Sequence, residues 1–252
     1  MKIDYIRCED DRIQVVIEGV SAPYVNALRR VILSELPIYG CSSVVVYDNS
    51  SPLFDEVVSH RIGLVPLTTP YETTVDDKMV TISIEAEGPA TVYSSQFVSD
   101  DPDVVPISDD FPIVKLGKGQ RLSVNAECVP GFGKEHMRWQ PGLATYKNYP
   151  DIRISENCNV CGSCVRACPR NILVLEDEKV VPKNVSMCTF CKSCIEACNN
   201  SNEHSLVEVI PMNDKFIFSI ESFGCMSAKD LLMTALRVIR DKSVSFSAGI
   251  AD

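Results

Sequence analysis

The stretch from Cys158 to Cys198 constrains this chain more than any other. It reads CNVCGSCVRAC and then, after a spacer, CTFCKSCIEAC. Each half is C-x2-C-x2-C-x3-C, so Cys158, Cys161, Cys164 and Cys168 have counterparts 30 residues on at Cys188, Cys191, Cys194 and Cys198. Ser163 and Ala167 also recur, as Ser193 and Ala197. The halves therefore read as two copies of one loop-plus-short-helix unit, and duplication implies two equivalent sites.

Thiolate chemistry limits what such sites can hold. Three thiolates at short, even steps wrap a loop around one face of a cubane, and a fourth on the following helix turns away to ligate the neighbouring cluster. The pattern therefore predicts two 4Fe-4S clusters with crossed ligation. Cys158, Cys161, Cys164 and Cys198 hold the first, and Cys188, Cys191, Cys194 and Cys168 hold the second. Pro169 completes a Cys-Pro pair in the first motif, whereas Asn199 stands at that place in the second. Zinc is the competing metal, but zinc sites commonly pair C-x2-C knuckles across a longer loop, and this set would leave thiolates crowded or unused on two zinc ions. The segment resembles a bacterial-type two-cluster ferredoxin.

The other four cysteines, Cys8, Cys41, Cys128 and Cys225, are scattered and are expected to be buried small hydrophobes. In a chain of 252 residues, 45% hydrophobic content suffices for real cores. A formal charge of -10 argues against a primary role in gripping phosphate backbones, which calls for a basic stripe. No apolar run approaches the ~20 residues of a membrane span, and MKIDYIRCEDDR has acidic residues where a signal peptide needs an apolar core. The expected location is the cytoplasm, with no membrane association.

Residues 2–18 read as a hairpin turning at Asp10 and Asp11. A helix follows, with Ser21 as cap, Pro23 in its first turn, and Val25, Leu28, Val31, Ile32 and Leu36 at helical spacing until Pro37. From Ser42 short alternating runs suggest an antiparallel β-rich region, containing one short helix closed by Gly63 and an acidic, proline-rich surface loop near residues 99–112. His60 and His136 lack paired ligands and read as structural histidines; the GFGKEHMRWQPG segment (Gly131 to Gly142) reads as a docking loop, without the spacing of a phosphate-binding loop. After the cysteines, EHSLVEVI and KFIFSIESFG read as two strands, and SAKDLLMTALRVIRDK as a second amphipathic helix with a Ser227/Asp230 capping box. Its stripe includes Leu232, Leu236 and Ile239.

The expected fold class is α+β. Residues 1–41 and 205–252 form a discontinuous dimerisation domain from both chain ends, 42–151 an inserted β-rich domain, and 152–204 an inserted ferredoxin-like iron–sulfur domain. Both amphipathic helices leave apolar surface, so a partner subunit is expected to cover Leu28, Val31, Ile32, Leu232, Leu236 and Ile239.

Four segments carry a whole-chain resemblance: NALRRVILSELP, DEVVSHRIGLVPL, GFGKEHMRWQPG and FSIESFG. In this order they resemble the D-subunit family of archaeal DNA-directed RNA polymerases, some members of which carry a ferredoxin-like insertion. The resemblance implies a non-catalytic assembly subunit equivalent to the bacterial alpha N-terminal domain. Its implied partner is the smaller subunit L, in a heterodimer that is the platform for subunits N and P and then the large catalytic subunits; DNA is met only through the assembled polymerase. No NADFDGD-like string is present. Two other classes compete: a soluble ferredoxin-like electron-transfer protein or oxidoreductase component, and a redox-sensing DNA-binding regulator. A carrier needs no 200 additional residues, and the chain has neither basic charge nor a recognisable helix-turn-helix.

Overall fold

The computed structural model describes residues 1–201 and 205–251. The expected end of the cysteine domain at 202–204, the first residues of the expected EHSLVEVI strand, and Asp252 lie outside them.

The N-terminal hairpin forms as expected, with β1 (Lys2–Cys8) and β2 (Arg12–Glu18). Ile13, Val15 and Ile17 are buried, while β1 is exposed along its length. Helix α1 (Ala22–Ser34) follows. Its apolar positions are already covered within the chain: Leu28 is 2%, Val31 6% and Ile32 0% exposed. These three therefore do not lie on the surface expected of them, because the chain's own core uses the stripe that the sequence suggested was left over.

Strand β3 (Pro37–Asn49) starts directly after α1, five residues before the expected Ser42. It is followed by α2 (Asp55–Gly63), β4 (Val80–Glu87), β5 (Ala90–Tyr93), β6 (Phe97–Ser99), β7 (Pro112–Leu116) and β8 (Arg121–Phe132). One sheet has the order β3-β8-β4-β6, and β5 pairs with β7. These pairings are antiparallel. Alternation decides the core: Leu122, Val124, Ala126 and Cys128 of β8 all point into it, and Ile82 and Ile84 of β4 join them. The acidic 99–112 segment is more than a solvated loop, since Val104 is buried and Val105 is tied to Thr68 through backbone and hydroxyl.

Strand β9 (Gly142–Ile154) was not expected. The cysteine segment contributes α3 (Ser163–Ala167), the hairpin β10 (Leu173–Glu176) and β11 (Lys179–Pro182), and α4 (Ser193–Ser201). The two strands expected next are one, β12 (Val207–Ser222), and α5 (Ala228–Ala251) ends the chain. Strands β1, β2, β12 and β9 make a four-stranded sheet in that order.

Two compact units result. One comprises 1–5, 15–25 and 146–218, and the other 6–14, 26–145 and 219–252. Among the described residues no helix is long and apolar enough to cross a membrane.

Candidate iron–sulfur centre

The two cysteine loops repeat in backbone conformation as well as in sequence. Val160 and Phe190, the residues before the second cysteine of each motif, have φ of 57° and 55°. Gly162 and Lys192, the residues after it, have φ of 72° and 63°. A left-handed conformation at a β-branched residue is costly and persists only where the surroundings hold it. Two such turns in each loop swing three successive cysteines toward one side, which an extended or helical backbone would not do.

The third cysteine of each motif lies on a short helix, Cys164 on α3 and Cys194 on α4. Helices α3 and α4 pack together, and the Ser201 hydroxyl donates to Ser163 Oγ at 2.9 Å. This packing brings the fourth cysteine of one motif to the other. Cys168 lines a recess of about 380 Å³, including its open mouth, together with Cys188, Cys191 and Cys194. Cys164 has Cys198, Cys158 and Cys161 as electrostatic neighbours.

The thiols resist becoming anions side by side. Burial foremost, and then Cys198, Cys158 and Cys161, push the Cys164 thiol up. Burial, followed by Cys168, pushes Cys194 up to about 11. A cationic metal core removes that penalty by neutralising the thiolates. Cys191 differs: the Ser193 backbone N–H, assisted by its hydroxyl, holds this exposed thiol below its ordinary range. Both fourth cysteines already accept backbone hydrogen bonds, from Ile172 N to Cys168 Sγ at 3.4 Å and from Leu206 N to Cys198 Sγ at 3.3 Å. Such N–H···S contacts orient cluster thiolates and tune their potential.

Around the cysteines the apolar core is thin. Among the described residues, buried Cys164 and Cys198 are themselves members of a core cluster with Leu173, Val180 and Val207, against which Ile152 and Val165 are partly buried. Lys147 donates from Nζ to the carbonyls of Ser186 (2.8 Å) and Cys188 (2.7 Å), pinning the start of the second loop. The donor set thus fits iron–sulfur clusters: soft thiolates in two groups, backed by N–H donors. No cysteine is joined in a disulfide, and among the described residues no three His, Cys, Asp or Glu side chains gather tightly enough for a single metal ion.

The remaining sequence candidates disperse. Cys8 is exposed, contrary to expectation, because it ends the uncovered β1; Cys41, Cys128 and Cys225 are buried. His60 lies on α2. His136 accepts from the backbone N–H of Arg138 at 3.1 Å, which makes it a turn-forming residue. The Gly131–Gly142 segment is anchored by Trp139, whose indole N–H donates to Val129 O at 3.1 Å, and by Arg138, whose guanidinium donates to Cys41 O. Leu232, Leu236 and Ile239 are half-buried on α5, beside exposed Met233. The left-handed turns at Val160 and Phe190 were missed, since neither residue type signals them.

Comparison with known proteins agrees with these features. Residues 44–142 match the RNA polymerase Rpb3/RpoA insert domain, and residues 151–199 match the 4Fe-4S dicluster domain. DNA-directed RNA polymerase subunit Rpo3 of Pyrococcus horikoshii is 37% identical, over 98% of this chain and 96% of the relative. The same subunit of Methanothermobacter thermautotrophicus is 38% identical over 93% of each chain, and that of Methanosarcina acetivorans 34% over 96% of each. The segment with eight cysteines is accordingly an iron–sulfur domain, and the chain belongs to the Rpo3 family of DNA-directed RNA polymerase subunits.

Proposed function

We propose that this chain is the non-catalytic assembly subunit that its resemblance to the archaeal polymerase family implies, and that it carries two 4Fe-4S clusters. The first is held by Cys158, Cys161, Cys164 and Cys198, the second by Cys188, Cys191, Cys194 and Cys168. The observation carrying this reading is that Cys168 shares a recess with the three loop cysteines of the other motif. The ferredoxin-like segment is an insertion in a dimerisation domain made from both chain ends. That domain pairs with subunit L, and the heterodimer recruits subunits N and P and the large catalytic subunits in the cytoplasm. DNA is met only through the assembled enzyme.

When bound, the clusters supply metal–thiolate bonds that tie the two motifs together. The chain's own part is to present the thiolates: αL turns at Val160, Gly162, Phe190 and Lys192 aim the loops, and the Ile172 and Leu206 amides fix the crossing cysteines. The partner surface falls to α5, whose Leu232, Leu236 and Ile239 stay half-buried, whereas Leu28, Val31 and Ile32 serve the core. Anaerobically purified protein should contain about eight iron and eight sulfide per chain. Stoichiometric zinc without sulfide overturns the cluster assignment, and four of each reduces it to one cluster.

A further inference from the structure

Two cysteines outside the iron–sulfur segment face each other across the β-rich sheet. Cys41 of β3 and Cys128 of β8 are directly paired in the antiparallel ladder, next to a register slip between Cys41 and Ser43. Directly opposed residues in such a ladder have Cα atoms about 4.5–5.5 Å apart. Disulfides span about 4.4–6.8 Å between Cα atoms, so the ladder spacing of this pair lies within their reach.

Both side chains lie in the same buried core cluster, and each thiol donates to a backbone carbonyl of its own strand, Cys41 to Ser43 O at 3.4 Å and Cys128 to Ala126 O at 3.9 Å. The nearby Arg138 guanidinium favours the thiolate of Cys41, whereas burial opposes it at Cys128. Arg138 also donates to Cys41 O, and Trp139 bonds Val129 O one residue beyond Cys128, so the loop before β9 pins the backbone of both strands beside the pair, with the Trp139 ring against Gly40 and Gly131 on the other face. Cys41 is 3% exposed and Cys128 0%. Packing alone would be served equally by two alanines or valines; two thiols directly opposed in register and facing the same side of adjacent strands are placed to be joined by a two-electron oxidant.

We propose that Cys41 and Cys128 are a reversible dithiol–disulfide site, oxidised by hydroperoxide, that staples β3 to β8. The Cys41 thiolate attacks one peroxide oxygen, an S–O bond forms, and the O–O bond breaks with release of hydroxide. The Cys128 sulfur then displaces the hydroxyl of the Cys41 sulfenic acid, forming the S–S bond and losing its proton to the departing water. The two thiols lose two electrons together, and one hydroperoxide is reduced. Burial selects a small oxidant over a bulky disulfide such as oxidised glutathione.

The test is a peptide map of the full, anaerobically purified chain with its clusters. After brief exposure to hydrogen peroxide, remaining thiols are blocked with N-ethylmaleimide under denaturing conditions and the digest is analysed by mass spectrometry. The expected product is a linked pair of peptides carrying Cys41 and Cys128, separated again by dithiothreitol, with a raised thermal midpoint for the oxidised chain. Cys41→Ser should leave Cys128 fully alkylated, and Cys225→Ser should leave the link intact. The proposal is overturned if both cysteines stay alkylated while exposed Cys8 is oxidised, or if either is found linked instead to a cysteine of 158–198. Should Cys41→Ser fail to fold, the wild-type map decides alone.

Discussion

The environment of each cysteine, more than its type, sets its chemistry. Cys225 is buried, its Sγ lies 3.4 Å from Pro141 O, and burial pushes the thiol up to about 12. At neutral pH almost none of it is thiolate, the form that reacts. Brief treatment of the native chain with iodoacetamide should therefore label exposed Cys8 and spare Cys225; equal labelling would show that Cys225 is open to solvent. Glycine offers a second case. A Cβ on Gly131 would sit 2.4 Å from the Trp139 ring, so Gly131→Ala must displace the only tryptophan from β8. The expected cost is about 1–3 kcal/mol, seen as a lower urea midpoint and altered tryptophan fluorescence. The residue scale is also where the sequence was most legible. The iron–sulfur character of the segment follows from thiol spacing, which is local information. The αL turns at Val160 and Phe190 were not legible, because the conformation is imposed by what the loops enclose rather than by side-chain preference.

Elements with local signals were found, and those without were not. The α5 start is an example of the first kind: Asp230 N donates to Ser227 Oγ at 3.1 Å, the N-cap bond expected of Ser227, while the Asp230 carboxylate accepts from the Ser227 hydroxyl at 2.7 Å rather than from its backbone N–H. Ser227→Ala should cost about 1 kcal/mol, measured by thermal unfolding, and Ser227→Asn should recover most of it. Strand β12 is of the second kind. Its middle, Pro211 to Asp214, reads as a turn, yet Asp214 O accepts from Gly19 N at 2.8 Å and Met212 O from Asn148 Nδ2 at 2.7 Å. Partners far away in sequence hold it extended. Strand β9 was hidden for the same reason, since ATYKNYPD lacks clean alternation and its place is set by β12. Burial also separates the two helices in experiment. Leu28→Asp places a charge in the chain's own core and should cost roughly 4 kcal/mol or more, giving an unfolded chain. Leu232→Asp, half-exposed on α5, should fold normally and, on the proposed pairing, lose co-expressed subunit L. A folded Leu232→Asp chain that retains subunit L at wild-type yield places the interface elsewhere.

At the scale of the whole molecule, stability is unevenly supplied. The β-rich unit has a continuous core of large aliphatic residues from β3, β4, β7, β8 and α2. Among the described residues the cysteine segment buries Ile172, Leu173, Val180 and Val207 with Cys164 and Cys198, and its other apolar side chains are only partly covered, a thin core for a domain of about 50 residues without metal. Metal–thiolate bonds must supply what burial does not. Because each motif lends its fourth cysteine to the other in the proposed ligation, removing one ligand should loosen both sites. Cys164→Ser and Cys194→Ser are therefore each expected to make residues 152–201 protease-sensitive throughout, rather than in one half. The β-rich unit keeps its own core and should stay protected. Polymerase purified through either tagged variant should retain subunit L but recover less of the large subunits, which would make cluster loss a control on assembly. Normal recovery with a protected 152–201 segment would refute the structural role. A change of activity with cluster oxidation, at constant subunit composition, would instead make the clusters a direct redox sensor within the assembled polymerase.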